Sequence, residues 1–179
     1  AAGSLQARGL SLSDLNANLT ARDGVVRLDP LDTGLYDGRL SLNARFDAGT
    51  DIPATSLRLK GENIKAGPLL QDAADKDFIE GRLLADISLS TTGTTSDAAM
   101  AGLNGEGRLT FSDGAIVGIN LTEMVRNLRE SFSLRLDSAG DQGARPRTDF
   151  AELVIPFVLE KGVFRTSQSR LQSPLLRLE

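Results

Sequence analysis

Apolar and polar residues alternate through much of the first half of the chain. The clearest run covers positions 39–46, where Leu40, Leu42, Ala44 and Phe46 alternate with Arg39, Ser41, Asn43 and Arg45. Because successive side chains of a β-strand point to opposite faces, this run predicts a strand with one apolar and one polar face. Similar runs occur at 15–21, 26–28, 57–59, 83–89, 109–111 and 153–159. The chain is therefore predicted to be mainly β.

Four dipeptides that end in glycine separate these runs: Asp23-Gly24, Asp37-Gly38, Asp113-Gly114 and Lys161-Gly162. Glycine adopts the positive φ of tight hairpin turns without steric cost. We therefore expect turns at these positions and an antiparallel sheet built from successive hairpins. Pro156 disfavours a central place for the last long run, unless its missing N–H faces away from a neighbouring strand.

Three helices are predicted between the strands. Pro68 suits the first turn of a helix that contains Leu69 and Leu70. Thr94, with Asp97 three residues later, has the form of a capping box before positions 98–103. The strongest helical pattern covers 121–132, with Asn120 as N-cap and an apolar stripe on one side. We expect this amphipathic helix to cover the sheet and not to lie on a membrane.

The predicted fold is mainly β with a few short helices (α+β), a curved antiparallel sheet or β-groove covered by the amphipathic helix. A single domain over 1–179 fits the chain length. Its parts are a strand-rich region over 1–120, the helix at 121–132, a flexible polar loop over 137–147 and final strands over 148–179. Strand-like patterns lie close to both chain ends, so we expect a piece of a longer polypeptide.

Composition argues against several kinds of function. The chain has no cysteine and no histidine, which excludes a thiolate zinc site and a Ser-His-Asp triad within it. The net charge of −4 is spread without blocks, aromatic residues make up 4% of the chain and tryptophan is absent. A basic footprint and stacking platforms are therefore missing, and we expect no nucleic-acid partner.

Three patterns imitate chemical sites. Positions 14–18 begin like a calcium-binding loop, but Leu19 and Val25 stand where glycine and glutamate are required. Gly105-Glu106-Gly107 begins like a dinucleotide loop, but a strand follows, so a glycine-lined hairpin is expected. The acidic residues Asp72, Asp75, Asp77 and Glu80 are interpreted as a solvated surface and not as paired catalytic carboxylates. We expect no enzyme activity, no metal and no cofactor.

Several short segments together resemble the carboxy-terminal region of AsmA-like proteins, and they occur in that family's order. They are the segments 21–24, 34–40, 103–107, 113–121, 148–150, 162–163 and 173–175. The block 113–121, Asp-Gly-Ala-Ile-Val-Gly-Ile-Asn-Leu, carries most of the weight. The resemblance implies an envelope protein of Gram-negative bacteria, located in the periplasm and anchored to the inner membrane through a segment outside this chain. It also implies a β-groove related to proteins that move phospholipids between membranes.

Two functions follow as expectations. In the first, an apolar sheet face shelters the acyl chains of a phospholipid, and the expected lining residues are Leu40, Leu42, Phe46, Leu57 and Leu59. The same residues would also suit an ordinary core packed under the helix at 121–132. In the second, the chain is a structural module whose edge strands join other β-segments or outer-membrane assembly partners by strand addition.

Overall fold

A computed structural model describes residues 5–7, 10–118, 146–166, 168–173 and 177–178. The helix predicted at 121–132 lies outside these residues, as does the loop predicted at 137–147 except for its last two positions.

Strands account for most of the described residues. They are β1 (Leu5–Ala7), β2 (Leu10–Arg22), β3 (Val25–Leu35), β4 (Gly38–Asp47), β5 (Ala54–Lys65), β6 (Ile79–Thr92), β7 (Asn104–Val117), β8 (Arg147–Glu160), β9 (Val163–Thr166), β10 (Arg170–Gln172) and β11 (Arg177–Leu178). Two helices interrupt them, α1 (Ala66–Ala74) and α2 (Ser96–Ala101). The predicted mainly β class with short helices is confirmed.

The strands form one antiparallel sheet in which, from β1 to β8, each strand lies beside its neighbours in sequence. The outer edge of β8 pairs with β9 over one part and with β10 over another, and β11 pairs with β10. The sheet is curved and does not close on itself. Pro156 lies between the stretches of β8 that pair with β9 and β10, where its carbonyl accepts a hydrogen bond from Thr166. The conditional prediction for this proline is thus met.

Three of the four predicted hairpin turns are present. Asp23 and Gly24 connect β2 to β3, and Lys161 and Gly162 connect β8 to β9, with positive φ at all four residues. Between β3 and β4 the turn residues are Tyr36 and Asp37, and β4 begins at Gly38.

The prediction of a hairpin turn at Asp113-Gly114 is wrong. Both residues lie within β7, where the pairing with β6 shifts between Arg82 and Glu80. Asp113 has a φ of 49°, so the positive φ serves a β-bulge and the chain does not reverse. The hairpin expected at 105–107 is also wrong, since both glycines lie in β7, where Gly107 makes room for the ring of Phe157.

Both helices expected before residue 118 are present. Pro68 is in the first turn of α1, as predicted. The N-cap of α2 is Thr95 and not Thr94: the backbone N–H of Ala98 donates to the Thr95 hydroxyl at 3.2 Å.

The buried core lies under α1. Ile64, Leu83, Phe111 and Leu153 occupy directly opposite positions on β5 to β8 and are all buried. Leu69 and Leu70 of α1 pack against this cluster. Ile64 is the largest fully buried side chain, with 2% of its surface exposed. The α1 end of the sheet therefore holds its best-packed region.

Candidate functional site

Strand register places the apolar side chains of seven strands on one face of the sheet. One row runs across β2 to β8 through directly opposite positions: Ala17, Leu31, Leu42, Leu59, Ile87, Gly107 and Phe157. A parallel row contains Leu19, Leu28, Ala44, Leu57, Leu89, Gly105 and Leu159. We call this surface the apolar face. At about 4.8 Å between strands, each row is about 29 Å long.

The five residues predicted to line a lipid groove lie together on this face. Leu42 is opposite Leu59, and Leu57 is opposite Ala44 on the next row. Leu40 and Phe46 extend the same alternation toward the two ends of β4, where they face Gly61 and Thr55. Leu40 and Leu59 also pack against the buried cluster. The structure thus groups all five residues on β4 and β5.

On β4, burial of the apolar side chains falls toward the end of the strand away from the buried cluster, whereas Phe157 of β8, outside that cluster, is also buried. Leu42, Leu57 and Leu59 are partly buried, whereas Phe46 is 43% and Leu19 66% exposed. Exposed Leu19 and Phe46 lie toward the end of the sheet that carries the β2–β3 turn. Apolar side chains at this end are therefore open to a ligand or partner.

The same face carries further apolar residues outside the expected set of five. Those on β3, β6, β7 and β8 are Leu28, Leu31, Ile87, Leu89, Leu109, Ile155, Phe157 and Leu159. Several belong to alternating runs that the sequence already shows. Only the register reveals that they continue the rows of β4 and β5.

The opposite face of the sheet is polar and charged. A row across β3 to β7 contains Asp32, Ser41, Lys60, Asp86 and Arg108. We call this surface the charged face. Two shallow depressions lie on it, of about 520 and 480 Å³. The first lies over β6 to β8 and the second over β3 to β6.

Two ion pairs lie near the ends of strands, one exposed and one half-buried. The Lys65 ammonium lies 2.5 Å from Asp37, and its hydrogen bond lowers the pKa of that carboxyl. The Arg45 guanidinium is 2.6 Å from Asp47 and lowers the pKa of Asp47 in the same way. The exposed Lys65–Asp37 pair adds little to stability because water screens it.

The acidic residues near α1 do not converge on one site. Asp72 accepts a hydrogen bond from Tyr36, Asp75 accepts one from Gln71 at 2.7 Å, and Glu80 pairs with Arg147 at 3.1 Å. Among the described residues, no group of three or more acidic side chains could hold a metal ion. Asp14, the start of the calcium-like pattern, lies within β2 at a positive φ of 52°. No helix in the described ranges has the length and apolar character needed to cross a membrane.

Comparison with known proteins identifies one family. The model of the AsmA family matches residues 1–169. Protein AsmA of Escherichia coli (strain K12) is 22% identical over 177 residues, which cover 99% of this chain and 28% of that protein. The AsmA family protein YhjG of the same organism is 25% identical over 116 residues, which cover 65% of this chain and 17% of that protein. The chain thus spans less than a third of either relative, and no solved structure matches it.

Proposed function

The chain belongs to the AsmA family, and from this premise we propose that it is a non-enzymatic periplasmic module that binds phospholipid acyl chains on its apolar face. In the full-length protein, an anchor in the inner membrane would hold this module in the periplasm. Its role there would be phospholipid transport between membranes or outer-membrane assembly.

The observation that carries this proposal is the uninterrupted apolar face of an open sheet. Its rows cross seven strands, and Leu19, Val26 and Phe46 are exposed toward the end away from α1. Each methylene that moves from water into an apolar environment contributes about 0.8 kcal/mol. A surface about 29 Å wide offers room for acyl chains in an aqueous compartment.

Native mass spectrometry with lipid extraction tests this proposal, and two neighbouring residues supply matched variants. Leu42→Asp places a carboxylate on the apolar face, whereas Ser41→Asp places the same group on the charged face. We expect phospholipid to co-purify with the wild type and with Ser41→Asp, and to be lost from Leu42→Asp. Circular dichroism establishes that each variant is folded.

A second variant tests the proposal in case Leu42→Asp does not fold. Phe46 is 43% exposed, so Phe46→Ala removes apolar surface without opening a buried cavity. We expect this folded variant to retain less lipid than the wild type. A lipid-free wild type, or full retention of lipid by a folded Leu42→Asp, would contradict the proposal.

A second candidate function is strand addition at the edge formed by β2. Among the described residues, β1 pairs only with positions 10–12 of β2, so the outer edge of positions 13–22 has no partner strand. Such an edge offers free N–H and C=O groups to another β-segment. If the longer protein adds a strand here, amides of positions 16–22 should exchange hydrogen more slowly in it than in this chain. Equal exchange rates would exclude addition at β2.

A further inference from the structure

Two arginines lie directly opposite each other on the charged face. Arg27 of β3 is paired in register with Arg45 of β4. Like charges at opposite positions of an antiparallel pair destabilise a sheet. A third arginine, Arg58 of β5, lies two residues along the strand from Ser56, the residue opposite Arg45. Three guanidinium groups therefore share one small area.

Their charge is only partly neutralised. Arg45 pairs with Asp47 at 2.6 Å, and Arg58 donates to the Ser88 hydroxyl at 3.4 Å. Arg27 has no hydrogen bond or ion pair to any residue in the described part of the chain. Its positive charge contributes, as the smallest of several causes, to the lowered pKa of Asp47. The Asp29 carboxylate lines the same depression as these arginines. Of the three arginines, only Arg45 is in an ion pair with a described residue.

The sheet surface is recessed at this place. The three arginines line the depression of about 480 Å³ over β3 to β6, together with Asn43, Ser56 and Ser88. It adjoins a bulge in β3 between Leu28 and Leu31. Planar guanidinium groups bind phosphate oxygens through paired N–H donors, and amide and hydroxyl groups add further donors.

We propose that this depression binds a phosphate group, and we call it the phosphate site. A doubly charged phosphate between Arg27 and Arg58 would relieve the repulsion between Arg27 and Arg45. The ligand is a free phosphate or the phosphate of a lipid headgroup. Because the site lies on the charged face, it is independent of acyl binding to the apolar face.

Nuclear magnetic resonance titration of the full chain with inorganic phosphate, at constant ionic strength, tests the site. We expect saturable shifts of the backbone amides of Arg27, Asn43 and Arg58. Arg27→Gln and Arg58→Gln should each weaken binding about tenfold, the loss of one charged hydrogen-bond contact. Arg39→Gln is the matched control, since Arg39 is on the same face of β4 about 20 Å from Arg45.

Thermal unfolding distinguishes a loss of phosphate binding from a loss of stability. Because Arg27 faces a like charge, Arg27→Gln should leave the midpoint of unfolding unchanged or raise it, although phosphate binding is weakened about tenfold. Shifts that do not saturate, shifts that persist in both site variants, or an equal loss in Arg39→Gln would overturn the proposal.

Vesicle co-sedimentation then distinguishes the source of the phosphate. Vesicles of phosphatidylcholine with phosphatidic acid are compared with vesicles of phosphatidylcholine alone. Binding to the first that requires Arg27 supports a headgroup site, whereas phosphate binding without vesicle binding supports a site for free phosphate. Phosphate titration and vesicle co-sedimentation do not measure co-purified acyl chains. A failure of the phosphate site therefore leaves the test of the apolar face unaffected.

Discussion

Gly114 lies at the bulge of β7, between β6 and β8. A Cβ at this position would lie 2.1 Å from the carbonyl oxygen of Glu80 and 2.7 Å from the ring of Phe150. The first contact is with backbone, which cannot move without disturbing the pairing of β6 with β7. We therefore expect Gly114→Ala to lower the free energy of unfolding by about 1–3 kcal/mol, measured by urea denaturation.

Gly67 provides the control for this substitution. It lies in the first turn of α1, where an added Cβ would meet its nearest neighbours at 3.9 Å, an ordinary contact distance. Gly67→Ala should therefore be neutral or stabilise the protein by up to about 1 kcal/mol, because it restricts the unfolded chain. If both alanine variants had the same stability, the bulge would not be the reason for glycine at position 114.

At the scale of single elements, the cap of α2 offers a direct test. The Thr95 hydroxyl accepts a hydrogen bond from the N–H of Ala98, and α2 is only six residues long. Thr95→Ala should cost about 1 kcal/mol of stability, the usual value of an N-cap. Thr94→Ala, one residue earlier, should cost much less. The reverse order in urea denaturation would show that Thr94 is the cap in solution.

The strands were readable from the sequence because alternation is a local property. Alternation over 39–46 predicts that Leu40, Leu42 and Phe46 share a face of β4, and the register with β5 places Leu57 and Leu59 on the same face. The bulge at Asp113 could not be predicted from the sequence. The aspartate of an Asp-Gly pair has a positive φ in the turn at Asp23 and in the bulge at Asp113, and the difference depends on what β6 and β8 place beside the second pair.

The features that the sequence did not predict depend on the register between strands that are distant in sequence. Three features depend on which residues lie opposite each other in the sheet. They are the burial of Ile64 under α1, the continuation of the apolar rows onto β7 and β8, and the position of Arg27 opposite Arg45. Alternation does not specify this pairing, since a shift by two residues keeps every side chain on its face. The phosphate site could therefore be inferred only from the structure.

At the scale of the whole molecule, packing is uneven along the strands. On β6, Leu83 is buried in the cluster under α1, whereas Leu89 is only partly buried on the apolar face. Both residues have neighbouring strands on each side, so the difference does not come from an edge. Regions with fewer buried apolar contacts open at lower free energy. The end of the sheet away from α1 is the part that a ligand can stabilise most.

Hydrogen exchange of β6 measures this difference and tests the proposed function at the same time. In the lipid-free chain, amides near Leu83 should exchange more slowly than those near Leu89. Added phospholipid should slow exchange at positions 87–89 more than at position 83, because acyl chains would cover the less buried end. Ser41→Asp should keep this response and Leu42→Asp should lose it, since Leu42 lies in the same row as Ile87. Equal slowing at both ends would indicate general stabilisation, and the apolar face would then not be the binding surface.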